Sequence, residues 1–183
     1  MPAFVICGPT AVGKGTIVRQ LIARDPKVWL SVSATTRTPR EGERDGVDYY
    51  FVTPEAFDDM VDEGNMLEWA TVHGVHKYGT PRAAVDRAMA EGKKVILEVD
   101  LAGARQVRAS MPDAYQIFLS PPSFDDLVDR LEMRGTEGPS ERKRRLETAR
   151  VELAAADEFD SIVINDDVAR ATDEILSIMT QIK

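Results

Sequence analysis

The chain has 183 residues, 43% of them hydrophobic and 30% charged, with 23 basic and 31 acidic side chains and a formal net charge of −8. That balance excludes a disordered or fibrous chain and predicts one compact domain with a sizeable core. No apolar run approaches the roughly 20 residues that cross a bilayer, the lone Cys7 cannot form an internal disulfide, and the acidic charge argues against nucleic acid, so the expectation is a cytoplasmic protein binding neither membrane nor nucleic acid.

Short apolar runs alternate with amphipathic stretches along the chain. Ala3 to Cys7 reads as a buried strand stopped by Gly8 and Pro9, and Ile17, Val18, Leu21 and Ile22 then take helical spacing. Val28 to Val32 is the next strand. A polar segment rich in Arg, Thr, Gly and Pro runs from Ser33 to Gly46, followed by a strand over Tyr49 to Val52. Pro54 begins a short helix carrying Phe57, Met60 and Val61, and Pro81 begins another that buries Val85, Ala88 and Met89 and stops at Gly92. Buried strands are predicted at Val95 to Val99, Tyr115 to Leu119 and Ile162 to Ile164. Between the last two come a helix from about Ser123 to Met133, a Gly/Thr/Pro break, and a long helix from about Ser140 to Ala156. A final helix from about Val168 aligns Ile175, Ile178, Met179 and Ile182. Apolar strands alternating with helices predict an α/β fold with a parallel sheet flanked by helices. Residues 33–80 break that rhythm and read as an inserted lobe.

The strongest motif is Gly8-Pro9-Thr10-Ala11-Val12-Gly13-Lys14-Gly15-Thr16, set between a strand and a helix. Glycines let the backbone curl so that several N–H groups face one anion, and the helix adds its positive end. Lys14 can then neutralise the β- and γ-phosphates of a nucleotide. Gly15 occupies the position where this motif usually carries a magnesium-binding hydroxyl, so the cation is expected on nucleotide oxygens and water, with Thr16 beside them. Such a GKGT loop is similar to those of nucleoside monophosphate kinases. Cys7 reads as a small buried apolar residue.

Arg37 and Arg40, three apart after a strand, suit paired recognition of phosphate oxygens. They are followed in order by Asp48-Tyr49-Tyr50-Phe51, Leu67-Glu68-Trp69-Ala70 and Lys77-Tyr78-Gly79-Thr80. With the phosphate loop, these pieces closely resemble guanylate kinases over essentially the whole chain, from Phe4 through Ile164-Asn165-Asp166-Asp167. The resemblance implies a P-loop NTPase-type sheet at 1–32, 81–122 and 151–183, a GMP-binding lobe at about 33–80 and an arginine-rich lid at about 123–150. It assigns Arg37, Arg40, Tyr49 and Tyr78 to the phosphate of GMP, and Ser33, Glu68, Thr80 and Asp100 to the guanine. The chemistry agrees. Guanine offers N1–H and N2–H₂ side by side to one carboxylate, which adenine would leave unpaired, and hydroxyls at Ser33 and Thr80 can donate to O6.

Lys94 to Asp100 is an apolar strand ending in Glu98 and Asp100, which a strand points to one side. An acid here commonly organises magnesium, and Asp100 could serve the metal through water, the guanine, or both. Residues 130–150 concentrate positive charge in an acidic protein. Arg130, Arg134 and Arg145 match the family's lid, which implies Arg130 over the adenine and Arg134 and Arg145 on the phosphates, while Arg142, Lys143, Arg144 and Arg150 read as solvated. Gly135 and Gly138 could let this segment swing, and Asn165 is a candidate for an adenine contact. His73 and His76 have no cysteine or third histidine nearby and read as loop residues rather than a metal site.

The implied reaction transfers the γ-phosphoryl group of magnesium-bound ATP to GMP or dGMP. Lys14, Arg37, Arg40, Arg134 and Arg145 supply the positive charge. The acceptor phosphate has a second pKa of about 6, so no general base is required. Two other readings are a related kinase of a phosphorylated pentose and a non-catalytic interaction module of the same fold. The phosphate loop argues against the module, and the tyrosine, Glu68 and arginine set argues against the pentose. The expected assembly is a monomer or small homo-oligomer.

Overall fold

The computed structural model describes residues 2–72, 74–134 and 138–182. Its centre is a parallel sheet of β1 (Phe4–Cys7), β2 (Val28–Leu30), β7 (Lys94–Glu98), β8 (Tyr115–Ser120) and β9 (Ser161–Ile164), in the order β2-β7-β1-β8-β9. The central strand β1 is buried at every position, because helices cover both faces. On one face, Phe4 and Ile6 pack with Ile17, Val18 and Leu21 of α1 (Lys14–Arg24) and with Ile175 and Met179 of α7 (Val168–Gln181). On the other, Val5 and Cys7 pack with Val85 of α3 (Arg82–Ala90) and with Leu101, Ala104 and Val107 of α4 (Leu101–Ser110).

A second sheet of β3 (Ala34–Thr35), β4 (Tyr50–Phe51), β5 (Met66–Val72) and β6 (His76–Pro81), in the order β4-β3-β6-β5, carries α2 (Pro54–Asp62). Thr53 caps α2 by accepting from the Ala56 amide at 3.2 Å, and Phe57 fills the small core formed with Ala34 and Met66. This sheet is tied to α4 along β5. Trp69 and Gln106 exchange two hydrogen bonds of 3.0 Å, and Ser110 Oγ donates to Leu67 O at 2.6 Å. The chain then runs through α5 (Phe124–Arg134) and α6 (Pro139–Ala154). Leu127, Leu131 and Ala149 are buried, so each of these helices sets part of one face into the packed interior.

Four expectations need correction. Helix α4 went unforeseen, although Leu101, Ala104 and Val107 have helical spacing, because Ala102, Gly103 and Ala104 dilute the apolar signal. Strand β2 stops at Leu30, where the chain departs for the second sheet after Ser31 N donates to Ile96 O at 2.9 Å. Pro81 ends β6 in an extended conformation and caps α3, whose first helical residue is Arg82. Helix α6 stops at Ala154, and Ala156–Glu158 form a 3₁₀ turn. No helix among the described residues is long and apolar enough to cross a membrane.

Candidate active site

The loop after β1 curls as its sequence requires. At Gly8 a Cβ would stand 2.3 Å from Leu119 O, and at Gly13 (φ 102°) it would stand 2.6 Å from Asn165 Nδ2. Only glycine fits either position. Gly13 precedes α1 with no side-chain cap, so the first amides of the helix stay available to an anion. Lys14 Nζ donates to the carbonyl oxygens of Gly8 and Pro9, which folds the ammonium over the loop. Pro9, Thr10, Ala11, Gly13, Lys14, Gly15 and Thr16 line a cavity of about 260 Å³ with Arg19 and Glu98. Arg19 donates to Thr16 Oγ1 at 3.1 Å, which leaves that hydroxyl one lone pair and its own proton for a further contact.

A cavity of about 340 Å³ adjoins this one, sharing Ala11, Gly13 and Thr16 and adding Arg130, Met133, Asn165, Asp166 and Val168. Arg130 donates to Val12 O at 3.2 Å and Asn165 O at 2.9 Å, and Asn165 Nδ2 donates to Val12 O at 2.7 Å. Those bonds fix both side chains against the buried Val12, which, like Gly8, was expected at the ATP but lines none of these cavities. Asn165 is 3% exposed, and its Oδ1 has no hydrogen-bond partner among the described residues. A buried acceptor left unpaired in this way awaits a donor.

On the other side of Lys14 lies a cavity of about 500 Å³ whose walls include Thr10, Lys14, Ser33, Tyr49, Glu68, Tyr78, Asp100 and Glu152. Glu68 reaches it through a bulge in β5. Met66 pairs with Pro81 and Trp69 with Gly79, so Leu67 and Glu68 together oppose Thr80. With the bulge, Met66 and Leu67 are both buried, the first in the small core of the second sheet and the second against α4, while Glu68 faces the cleft. Thr80 Oγ1 donates to Glu68 Oε1 at 2.6 Å. Burial raises the Glu68 pKa, the Thr80 bond opposes that rise, and the Asp100 charge adds to it. Asp100 Oδ1 accepts from Gly103 N at 2.8 Å and caps α4, which leaves Glu98 as the acid lining the phosphate cavity.

Arg37 lies beside Tyr49, with its guanidinium carbon 5.4 Å from the ring centre, and Tyr49 meets Tyr78 edge-on at 6.0 Å. Its side chain is only 10% exposed and pairs with Glu43 Oε1 at 2.8 Å. Glu43 Oε2 accepts from the Arg40 amide at 2.7 Å, so one carboxylate orders both arginine positions. Arg37 in turn holds the Glu43 carboxyl below the usual range. Arg40 itself is exposed. Arg145 donates to Glu141 Oε1 at 3.1 Å. For Arg134 only the helical backbone is described, while Gly135 and His73 lie outside the described residues. Gly138 precedes α6 in extended conformation, and His76 opens β6. Arg150, expected to be solvated, is exposed and also lies over Phe124 at 4.2 Å, and Arg142 pairs with Glu132 at 3.0 Å.

The sequence model of the family described as "Guanylate kinase" matches residues 1–182. A guanylate kinase of Cutibacterium acnes is 57% identical over 96% of this chain and 88% of its own length. One from Thermobifida fusca is 55% identical over 96% and 89%. The chain belongs to the guanylate kinase family. A crystal structure of guanylate kinase from Anaplasma phagocytophilum superposes with a TM-score of 0.72 at 29% identity, over 98% of this chain and 85% of that one. Shikimate kinase from Bacteroides thetaiotaomicron, at 12% identity and a TM-score of 0.52, shares the fold alone.

Within this guanylate kinase fold, three residues near the cleft escaped the reading of the sequence. Arg19 is one turn into α1 and could have been found from its spacing to Thr16. Glu43 looked like part of a polar loop, and nothing local marks it as the partner of Arg37. Glu152 looked like an ordinary helix carboxylate. It is 7% exposed, lines the larger cavity, and has one oxygen without a partner among the described residues. Burial raises its pKa against the pull of Lys14.

Proposed function

We propose that the chain transfers the γ-phosphoryl group of ATP to GMP, or dGMP, giving ADP and GDP. The observation that carries the proposal is a run of three cavities along the phosphate loop, with Asn165 lining the one that shares Gly13 and Thr16 with the loop cavity and Glu68 lining the one that shares Lys14 with it. Adenine's exocyclic amine is a donor that Asn165 Oδ1 can accept, and Arg130 covers the same cavity. Guanine's N1–H and N2–H₂ are two donors that Glu68 can accept. Thr80 already gives its hydroxyl hydrogen to Glu68, so Ser33 is the hydroxyl left to donate to O6. Arg37, Arg40, Tyr49 and Tyr78 take the acceptor phosphate, with Glu43 holding the arginine loop in place.

An ionised phosphate oxygen of GMP attacks the γ-phosphorus, and the bond to the β–γ bridging oxygen breaks so that ADP leaves with the electron pair. The protein positions two polyanions in line and offsets their repulsion. Lys14 exchanges its two loop carbonyls for phosphate oxygens, and Arg134 and Arg145 approach from the lid at about 123–150 as it closes over the GMP lobe at about 33–80. Closure excludes water, which would otherwise take the phosphoryl group. Thr16, Glu98 and the second oxygen of Asp100 are the side-chain oxygens available to hold the water shell of magnesium. Among the described residues no three His, Cys, Asp or Glu side chains converge on one point, which suits a small hard cation carried mainly by nucleotide oxygens and water. When bound, that cation neutralises developing phosphate charge. The setting proposed for this reaction is the cytoplasm, with the protein a monomer or small homo-oligomer.

The test is a coupled assay of ADP release with GMP, AMP and ribose 1,5-bisphosphate offered separately. GMP alone should support rapid turnover. Comparable turnover on AMP, or on the pentose, would reject the assignment.

A further inference from the structure

Gly103 lies in the first turn of α4, and nothing in its backbone calls for glycine, since it sits in an ordinary helical turn. Glycine there weakens the helix relative to alanine. What the missing side chain leaves is space for two acids. A Cβ at Gly103 would stand 3.3 Å from Glu68 Oε2, 3.4 Å from Asp100 Oδ1 and 3.0 Å from Val99 Cβ. Asp100 is held by its bond to the Gly103 amide and Val99 by the backbone, so the carboxylate of Glu68 is the free end of the three. Its other oxygen is held by Thr80 at 2.6 Å.

We infer that Gly103 is a positioning residue for guanine recognition, its bare Cα letting the Glu68 carboxylate settle against the first turn of α4. The inference rests on the reading of Glu68 as the guanine acceptor. Thr80 holds one oxygen, the gap at Gly103 seats the other, and the positive end of the helix favours the charge between them. A carboxylate that accepts two adjacent N–H groups must present both oxygens at charge-assisted distances of about 2.7–2.9 Å. A methyl at position 103 drives Glu68 outward by a few tenths of an ångström, into the place of the base.

The experiment is G103A, E68Q and the double variant, each assayed with GMP and ATP and melted without substrates. G103A should raise KM for GMP about tenfold, leave kcat and the KM for ATP within twofold, and melt at or above wild type because alanine favours the helix. On the E68Q background it should add less than twofold to KM for GMP. A KM for GMP within twofold of wild type overturns the inference, as does an undiminished penalty on the E68Q background. A G103A protein that melts well below wild type, or fails to fold, places the clash on Val99 and overturns it too. If E68Q by itself leaves GMP use intact, the guanine assignment fails and the role of Gly103 falls with it. An impaired E68Q beside a normal G103A refutes Gly103 alone.

Discussion

Replacing Glu68 by glutamine keeps the shape of the side chain and removes one acceptor and the charge. The carboxylate faces the acceptor cavity with Oε1 already bonded to Thr80, and it has lone pairs for both donors on the guanine edge. A glutamine accepts from one of them and points its own N–H at the other. The loss is one charge-assisted hydrogen bond, about 1.5–3 kcal/mol, and the weakening of its neighbour by about 1 kcal/mol. The sum, about 2.5–4 kcal/mol, corresponds to a fall in kcat/KM for GMP of about 70- to 900-fold at 1.36 kcal/mol per decade. Folding should not confuse the result. The folded-state pKa of Glu68 is raised, so its ionised form costs stability at neutral pH and E68Q should melt no lower than wild type at pH 7.5. The coupled assay gives kcat/KM for GMP at saturating ATP and the KM for ATP at saturating GMP. Because glutamine can donate to adenine N1, turnover on AMP relative to GMP should also rise. A loss for GMP below threefold, or an equal loss for ATP, would refute the role of Glu68.

Asn165 supports the donor side, so N165A should raise KM for ATP about tenfold and erode the preference for ATP over GTP. An unchanged preference in initial-rate assays would count against an adenine contact. E43A should raise KM for GMP about tenfold through disorder of Arg37 and Arg40, with ATP kinetics unaffected; a lowered KM would mean that Glu43 competes with the phosphate instead of organising its ligands. Glu152 tests the linkage between burial and pH. Its folded pKa is raised, so the stability it contributes is complete below the ordinary carboxylate range and is lost as pH rises through the raised value. E152Q should therefore match wild type near pH 4 and melt at a higher temperature at pH 8. A lower melting temperature at pH 8 would show that the ionised carboxylate stabilises the fold.

Much of the architecture was legible because burial writes itself locally. Phe4 to Cys7 and Val95 to Leu97 are apolar throughout because helices cover both sides of the sheet, and Gly8 and Gly13 of the phosphate loop sit where a Cβ would strike Leu119 or Asn165. Pro54 marks the start of α2. Helix α4 was hidden because two of its four buried residues, Gly103 and Ala104, are small and carry little hydrophobic signal.

The order of motifs along the chain was enough to name the chemistry, because a phosphate cradle is built from consecutive amides and its residues cannot be far apart in sequence. Which acid faces which ligand was a matter for the folded chain. The sequence pointed to Asp100 for the metal and the guanine, but α4 takes an oxygen of Asp100 for its first turn and Glu98 lines the cavity of the phosphate loop. Glu43, Glu152 and Gly103 gain their roles from groups 6 to 138 positions away, Arg37 for the first, Lys14 for the second and Glu68 for the third. Contacts of that kind depend on how helices and strands stack, and no local pattern of residue types encodes them.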